Sequence, residues 1–213
     1  YELALAQSGL RLESGGAAAD LCREIVSFMD RRTAELSLKH GIRAVIGQTP
    51  AESASYKFAR LDLKRFSPLS GRYVSGEIAT GGIYYTDSVY LPASNGTDIG
   101  GRLRMEGLLH DLVEGACSKL PLNGESPAEI EGILRYAFFE TRSLQITFAP
   151  IFTSCSSCGR TSPGNFPACP CCGAAEIEMI SKVTGYFARS SGLNQAKLAE
   201  LKLSFKKSPG ALP

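Results

Sequence analysis

Residues 155–200 read CSSCGRTSPGNFPACPCCGAAEIEMISKVTGYFARSSGLNQAKLAE, and the rest of the chain is read from this stretch. It holds two Cys-x-x-Cys knuckles, Cys155/Cys158 and Cys169/Cys172, with ten residues between them, followed by Val183-Thr184-Gly185-Tyr186. A knuckle turns both of its sulfurs to one side, and the intervening loop lets two such pairs meet, so four thiolates can close around a tetrahedral Zn²⁺. Four protein ligands leave no open position, which makes the expected role structural. A disulfide pairing would need an oxidising compartment, and no stretch reads as a secretory signal. Cys171 lies inside the second knuckle; the register Cys169/Cys172 follows from Cys-Pro-x-Cys-Gly, in which Gly173 permits the tight turn.

Composition narrows the partners. Lys+Arg 23 against Asp+Glu 21 gives a net charge of +2 over 213 residues, without the basic excess of a nucleic-acid-coating protein. No apolar run reaches the roughly 20 residues of a membrane-spanning helix. Seven cysteines, most of them in the knuckles, suit a reducing cytoplasm. The expectation is a cytoplasmic protein with no membrane and no direct nucleic-acid partner.

Towards the N-terminus the patterning alternates between helix and strand. Residues 1–13 are apolar and are broken by Ser14-Gly15-Gly16; from Ala17 to His40 the positions Leu21, Ile25, Phe28, Met29 and Leu36 recur at helical spacing, with Gly41 as the stop. Cys22 reads as a small buried hydrophobe and His40 as a group at the negative end of that helix. Arg43–Ile46 reads as a strand. Thr49 and Glu52 read as a capping box with Pro50 at the first helical position, starting a helix that carries Ala54, Phe58 and Leu61. A strand turning directly into a helix N-terminus offers free amides and the positive end of a dipole, the usual physical setting for a phosphate, although Glu52's own charge counts against it.

Gly71–Leu91 reads as a loop followed by a strand, with Tyr84, Tyr85 and Tyr90 as packing residues. Thr97–Leu120 returns to helical spacing through Leu103, Leu108, Leu109, Leu112 and Ala116, with His110 and Cys117 taken as structural. Ser126-Pro127-Ala128-Glu129 is a second capping box, opening a helix through Ile133, Leu134, Ala137 and Phe138. Leu144–Phe152 is a buried strand leading into the first knuckle. Glu176–Phe187 is β-prone, and Asn194 is an N-cap for a closing helix with Leu198, Leu201 and Phe205, after which the tail from Ser208 frays. This order predicts a mixed α/β architecture carrying a cysteine module.

Taken together, Thr49-Pro50-Ala51-Glu52-Ser53, Phe58-Ala59-Arg60-Leu61-Asp62, Tyr85-Thr86-Asp87-Ser88, the paired knuckles, and Thr184-Gly185-Tyr186 with Asn194 and Lys197 resemble the C-terminal part of the large subunit of anaerobic (class III) ribonucleoside-triphosphate reductase, a glycyl-radical enzyme family. The resemblance implies a partial glycyl-radical-enzyme-type α/β barrel over residues 1–150, a zinc ribbon over 151–175, and a radical loop with its closing helix over 176–213. It implies that Gly185 carries the radical and that Thr49, Pro50, Ala51, Glu52 and Ser53 receive the phosphates of a ribonucleoside triphosphate. The implied partners are an activating enzyme that uses S-adenosylmethionine and an iron–sulfur cluster, the remainder of the reductase subunit, and a second copy in a homodimer. The family's thiyl cysteine lies upstream of everything matched, so this chain by itself is expected not to reduce nucleotides. The family carries Arg where this chain has Lys182 and Gly where it has Ala196, two departures that bear on radical formation and on docking of the activator. Two other readings compete: a zinc-ribbon interaction module in which Gly185 is a turn glycine, and a stand-alone radical donor, against which the Thr49–Ser53 loop argues.

Overall fold

The computed structural model describes residues 8–10, 16–91, 97–183 and 185–206, except for the side chains of Glu52 and of 203–206. The apolar stretch 1–13 with its break at Ser14, Thr184, the Phe205 side chain and the tail from Ser208 lie, wholly or in large part, outside the described residues.

Helix α1 spans Ala17–His40 and stops at Gly41, whose left-handed φ of 63° lets its N–H reach back to the Ser37 carbonyl. The expected stripe is not the face this helix buries. Ala18, Ala19, Cys22 and Val26 are buried, while Phe28, Met29 and Leu36 are exposed. Small residues let the helix approach the core closely, and the bulky positions face outward. Cys22 behaves as the expected hydrophobe, burial pushing its thiol pKa up. Arg43–Ile46 forms no strand: pairing there is a single parallel bridge, Gly47 with Glu114, flanked by Glu114 N–H to Ile46 O (2.8 Å) and Gln48 N–H to Glu114 O (3.1 Å).

Helix α2 spans Glu52–Phe66, with Ala51 at the N-cap and no side-chain cap. The expected capping box does not form, and Pro50 precedes the helix instead of opening it. A short 3₁₀ turn (Ser70–Arg72) leads to a hairpin of β1 (Ser75–Glu77) and β2 (Gly82–Tyr84), followed by an irregular segment to Leu91.

The expected helix over Thr97–Leu120 is split. Helix α3 is confined to Ile99–Gly107, and Ser118–Leu122 is a strand, β3. Gly107 marks the change: a Cβ there would meet the Ser143 nitrogen at 3.0 Å and the Arg142 carbonyl carbon at 3.1 Å, so the crossing chain needs a glycine. Leu120, completely buried, points into a core with Ile99, Leu103, Ile133 and Ala137. A second cluster joins Val26, Val89, Leu109, Val113 and Ala116.

Helix α4 (Pro127–Glu140) starts with the expected capping box, in which the Glu129 N–H donates to Ser126 Oγ and the Ser126 N–H to Glu129 Oε2. Ser126→Ala is expected to destabilise the protein by about 1 kcal/mol, the usual worth of an N-cap, read as a lowered denaturant midpoint with an unchanged slope. The helix buries Ile133 and Ala137 and leaves Phe138 exposed. It connects β3 to β4 (Ile146–Cys155), which pair in parallel from Ser118/Ile146 to Leu122/Pro150, a β-α-β unit.

Strand β4 is the spine of a five-stranded sheet ordered β3-β4-β6-β7, with β5 (Thr161–Pro163) also paired to β4; β6 spans Ile177–Lys182 and β7 Phe187–Arg189. Its burial alternates, with Ala149, Ile151, Thr153 and Cys155 inside, as a strand with one face on a core requires. After a 3₁₀ turn (Ser190–Gly192), Asn194 caps helix α5 (Gln195–Lys206) by accepting from the Lys197 N–H at 2.8 Å. Among the described residues no helix is long and apolar enough to cross a membrane.

Candidate metal centre, glycine turn and helix-start loop

Strand β4 ends on Cys155, so the first knuckle grows directly from the sheet. Both knuckles use one turn design. The Gly159 N–H donates to Cys155 O and the Gly173 N–H to Cys169 O, with φ of 72° and 73°, a conformation that favours glycine. The Ser156 N–H to Glu176 O bond (2.9 Å) ties the first knuckle to the chain leaving the second.

The ligand atoms of Cys155, Cys158, Cys169 and Cys172 lie within 4.8 Å of one another. Cys155 and Cys172 approach to 3.7 Å Sγ to Sγ, and Cys158 and Cys169 to 3.6 Å. A disulfide needs about 2.05 Å, whereas a Zn–S bond of about 2.3 Å gives a tetrahedron with edges of about 3.8 Å. The donor set therefore fits a four-thiolate metal centre. Electrostatics agree, because four sulfurs this close do not ionise independently. Cys169, reached by the Cys172 and Cys171 amides, is drawn down to about 6. Cys158, despite the Arg160 amide that favours its thiolate, is pushed up to about 12 by desolvation and the neighbouring sulfurs. A dication at the centre would favour the thiolate at all four positions. Cys171 is exposed and uses its N–H, donated to Cys169 Sγ at 3.4 Å.

Gly185 lies at the other end of the same ladder. The β4–β6 register runs from Cys155/Ile177 to Ile151/Ser181, four steps or about 14 Å of paired strand. Beyond it, β6 turns into β7 with the Val183 N–H donating to Tyr186 O at 2.8 Å. Gly185 and Tyr186 on this turn are exposed, and a Cβ built at Gly185 meets nothing within 4 Å. Lys182, just before the turn, donates to Thr147 Oγ1 at 3.0 Å, and Ala196 is buried.

The three short N-terminal motifs, apart in the sequence, meet in space. The Ala51 N–H donates to Asp87 Oδ2 at 2.8 Å, Ser88 Oγ to Thr49 O at 2.8 Å, and Tyr85 Oη to Asp62 Oδ2 at 2.9 Å. Asp87 thus holds the start of α2 from outside the helix. The first intrahelical bond runs from the Ser55 N–H to Ala51 O, so the amides of Glu52, Ser53 and Ala54 precede the helical ladder.

His110 is a core residue, as expected, with Nδ1 accepting from the Leu144 N–H at 3.1 Å and Nε2 3.4 Å from Ser118 Oγ. Burial pushes its pKa down. Cys117 is pinned through its backbone by Gln48, which accepts its N–H at 2.6 Å and donates to its carbonyl at 3.3 Å. No local pattern in the sequence announces the role of Asp87, since 36 residues separate it from the amide it serves.

The profile of the family described as anaerobic ribonucleoside-triphosphate reductase matches residues 1–204. No curated protein matches the chain. Among solved structures, an anaerobic ribonucleotide reductase superposes with a TM-score of 0.65 at 18% identity, over 88% of this chain and 28% of its own. The anaerobic ribonucleotide reductase from Thermotoga maritima in complex with dATP and CTP gives 0.59 at 18% identity, again over 88% and 28%. The same enzyme with MES in the active site gives 0.59 at 21%, over 80% and 26%. The chain shares their fold and spans little more than a quarter of their length.

Proposed function

The chain belongs to the anaerobic ribonucleoside-triphosphate reductase family, and on that premise we propose that it supplies the glycyl-radical part of a reductase that converts ribonucleoside triphosphates to deoxyribonucleoside triphosphates. The observation that carries the reading is the shared ladder: the cysteine cluster closes one end of β4–β6, and Gly185 sits on the turn at the other. In this reading residues 1–150 form part of an α/β barrel, 151–175 a zinc ribbon and 176–213 the radical loop with its closing helix.

Cys155, Cys158, Cys169 and Cys172 would hold Zn²⁺, which supplies a fixed crosslink and no reactive position. This chain's own contribution is to place the radical centre; Gly185 is exposed on it, so shielding falls to the rest of the reductase. Loss of one Cα hydrogen from Gly185 leaves a planar carbon delocalised onto the flanking amide nitrogen and carbonyl, and glycine alone presents that carbon without a side chain in the way. The open turn is accessible to an activating enzyme of the radical S-adenosylmethionine class, which would take the hydrogen atom. The Thr49–Ser53 loop would receive the nucleotide phosphates at the amides preceding the α2 ladder.

The exposed Phe28, Met29, Leu38 and Phe139 give the remainder of the reductase subunit, and a second copy in a homodimer, apolar surface to cover. A cytoplasmic, reducing setting suits four cysteines spaced for metal and unpaired by disulfides.

The test is electron paramagnetic resonance after anaerobic activation. A doublet from the one remaining α hydrogen, collapsing to a singlet in protein labelled with α-deuterated glycine, supports the reading. Silence from folded, metal-loaded protein in the presence of a competent activator would favour the interaction module.

A further inference from the structure

Glu106 is the only buried Asp, Glu, Lys or Arg among the described residues, with none of its side chain exposed. An ionised carboxylate placed there needs compensation from its surroundings. Burial pushes its pKa up, against the pull of Arg102. Its hydrogen bonds, with those of Arg102, converge on the backbone of one residue, Leu91. Oε1 accepts from the Leu91 N–H at 2.8 Å and from Arg102 Nη1 at 2.9 Å, and the same Nη1 donates to Leu91 O at 2.9 Å. An ion pair one helical turn apart thus closes on both the donor and the acceptor of Leu91. Oε2 makes no hydrogen bond among the described residues, and the Ser118 hydroxyl also faces the carboxylate and favours its ionised form.

Leu91 lies in the irregular segment that follows β2. That segment belongs to no sheet ladder. One backbone bond, Tyr85 N–H to Ser55 O, and several side-chain bonds hold it in place, and two of the latter, from Asp87 and Ser88, fix Ala51 and Thr49. Between the clamp and those bonds lie only Val89, buried in the core, and Tyr90. We propose that Arg102 and Glu106 are a positioning pair for the Thr49–Ser53 loop, acting through Leu91, Ser88 and Asp87. The functional consequence rests on the reading of that loop as the phosphate seat; the mechanical claim does not.

Amide hydrogen exchange on the full chain tests it. In Glu106→Ala, the amides of Leu91 and Ala51 are expected to exchange about tenfold faster, the loss of roughly one hydrogen bond, while those of Thr153 and Met179 in the β4–β6 ladder stay unchanged. Glu106→Gln, which keeps the acceptor oxygen, restores both rates. Should the alanine variant fail to fold, Arg102→Gln removes the donor to Leu91 O and is expected to act in the same direction. A faster Leu91 with an unmoved Ala51 overturns the proposal, as does a uniform acceleration across all four amides.

In the reductase containing the variant, the KM for CTP is expected to rise about tenfold with kcat within about twofold, if phosphate contacts bind ground and transition state alike. An unmoved KM beside a faster Ala51 removes the phosphate seat and leaves the positioning role intact.

Discussion

With Cys155, Cys158, Cys169 and Cys172 holding a metal as proposed, stripping it is expected to release residues 155–176 as one unit and to shorten the β4–β6 ladder from its Cys155 end. The four sulfurs hold two loops that otherwise share few bonds, among them the Ser156 N–H to Glu176 O and Ser157 Oγ to Glu176 Oε2 contacts. Structural zinc contributes roughly 10–16 kcal/mol of apparent binding energy in small peptides that are unfolded without it. Here the sheet pre-orders Cys155, so part of that energy is not needed for folding. The expected local loss is on the order of 5 kcal/mol, comparable to the stability of many whole domains. Chelator-treated protein should become cleavable between Ser156 and Ala175, while the core around Leu103, Leu120 and Ile133 keeps its exchange protection.

Cys169→Ser should reproduce the effect without chelator and reduce bound metal from one equivalent to a small fraction. Cys171→Ser supplies the contrast. Its thiol is outside the four-sulfur cluster and exposed, so metal content and protease resistance should match the unaltered protein. Equal metal loss in both variants would place the second knuckle in a different register from Cys169/Cys172.

Local signals were legible and non-local ones were not. Gly41, the Ser126/Glu129 box and the Asn194 cap each use atoms within five residues, and each lies where the sequence places it. The cysteine spacing is equally local. The split of Thr97–Leu120 was hidden because Leu103, Leu109 and Leu120 are buried under either assignment; Ser118–Leu122 becomes a strand through its parallel partner 28 residues away, Ile146–Pro150. The bulky stripe of α1 misled for a related reason. Helical spacing identifies an apolar face without saying which neighbour covers it, and the described neighbours pack on Ala18, Cys22 and Val26. At α2 the chain entering the helix is held by Asp87 through the Ala51 amide, which no local pattern announces. Resemblance, unlike periodicity, grouped the three motifs that the fold brings together.

Gly185→Ala is expected to separate folding from chemistry more sharply than any other substitution in the chain. Most exchanges at a proposed catalytic position disturb structure as well as reactivity. Here the structural side is open: the built Cβ meets nothing within 4 Å, and the backbone of Gly185 lies outside the left-handed region that only glycine enters easily. A glycine in such a place loses conformational freedom on folding that alanine does not have. The variant should therefore be as stable as the parent, or more stable by up to about 1 kcal/mol. Metal content should be unchanged, because the cysteine cluster closes the far end of the ladder. The chemical side is not open. Alanine's methyl group crowds the planar centre and stands in the path of the abstracting group, so the radical doublet should fall below detection and reductase activity with it. Gly192 is the matching control, since a Cβ there also meets nothing within 4 Å and it lies in the 3₁₀ turn after β7. Gly192→Ala should keep the doublet. A folded, metal-loaded Gly185→Ala protein that still gives a full doublet would remove Gly185 from the mechanism and leave the cysteine cluster as an interaction module.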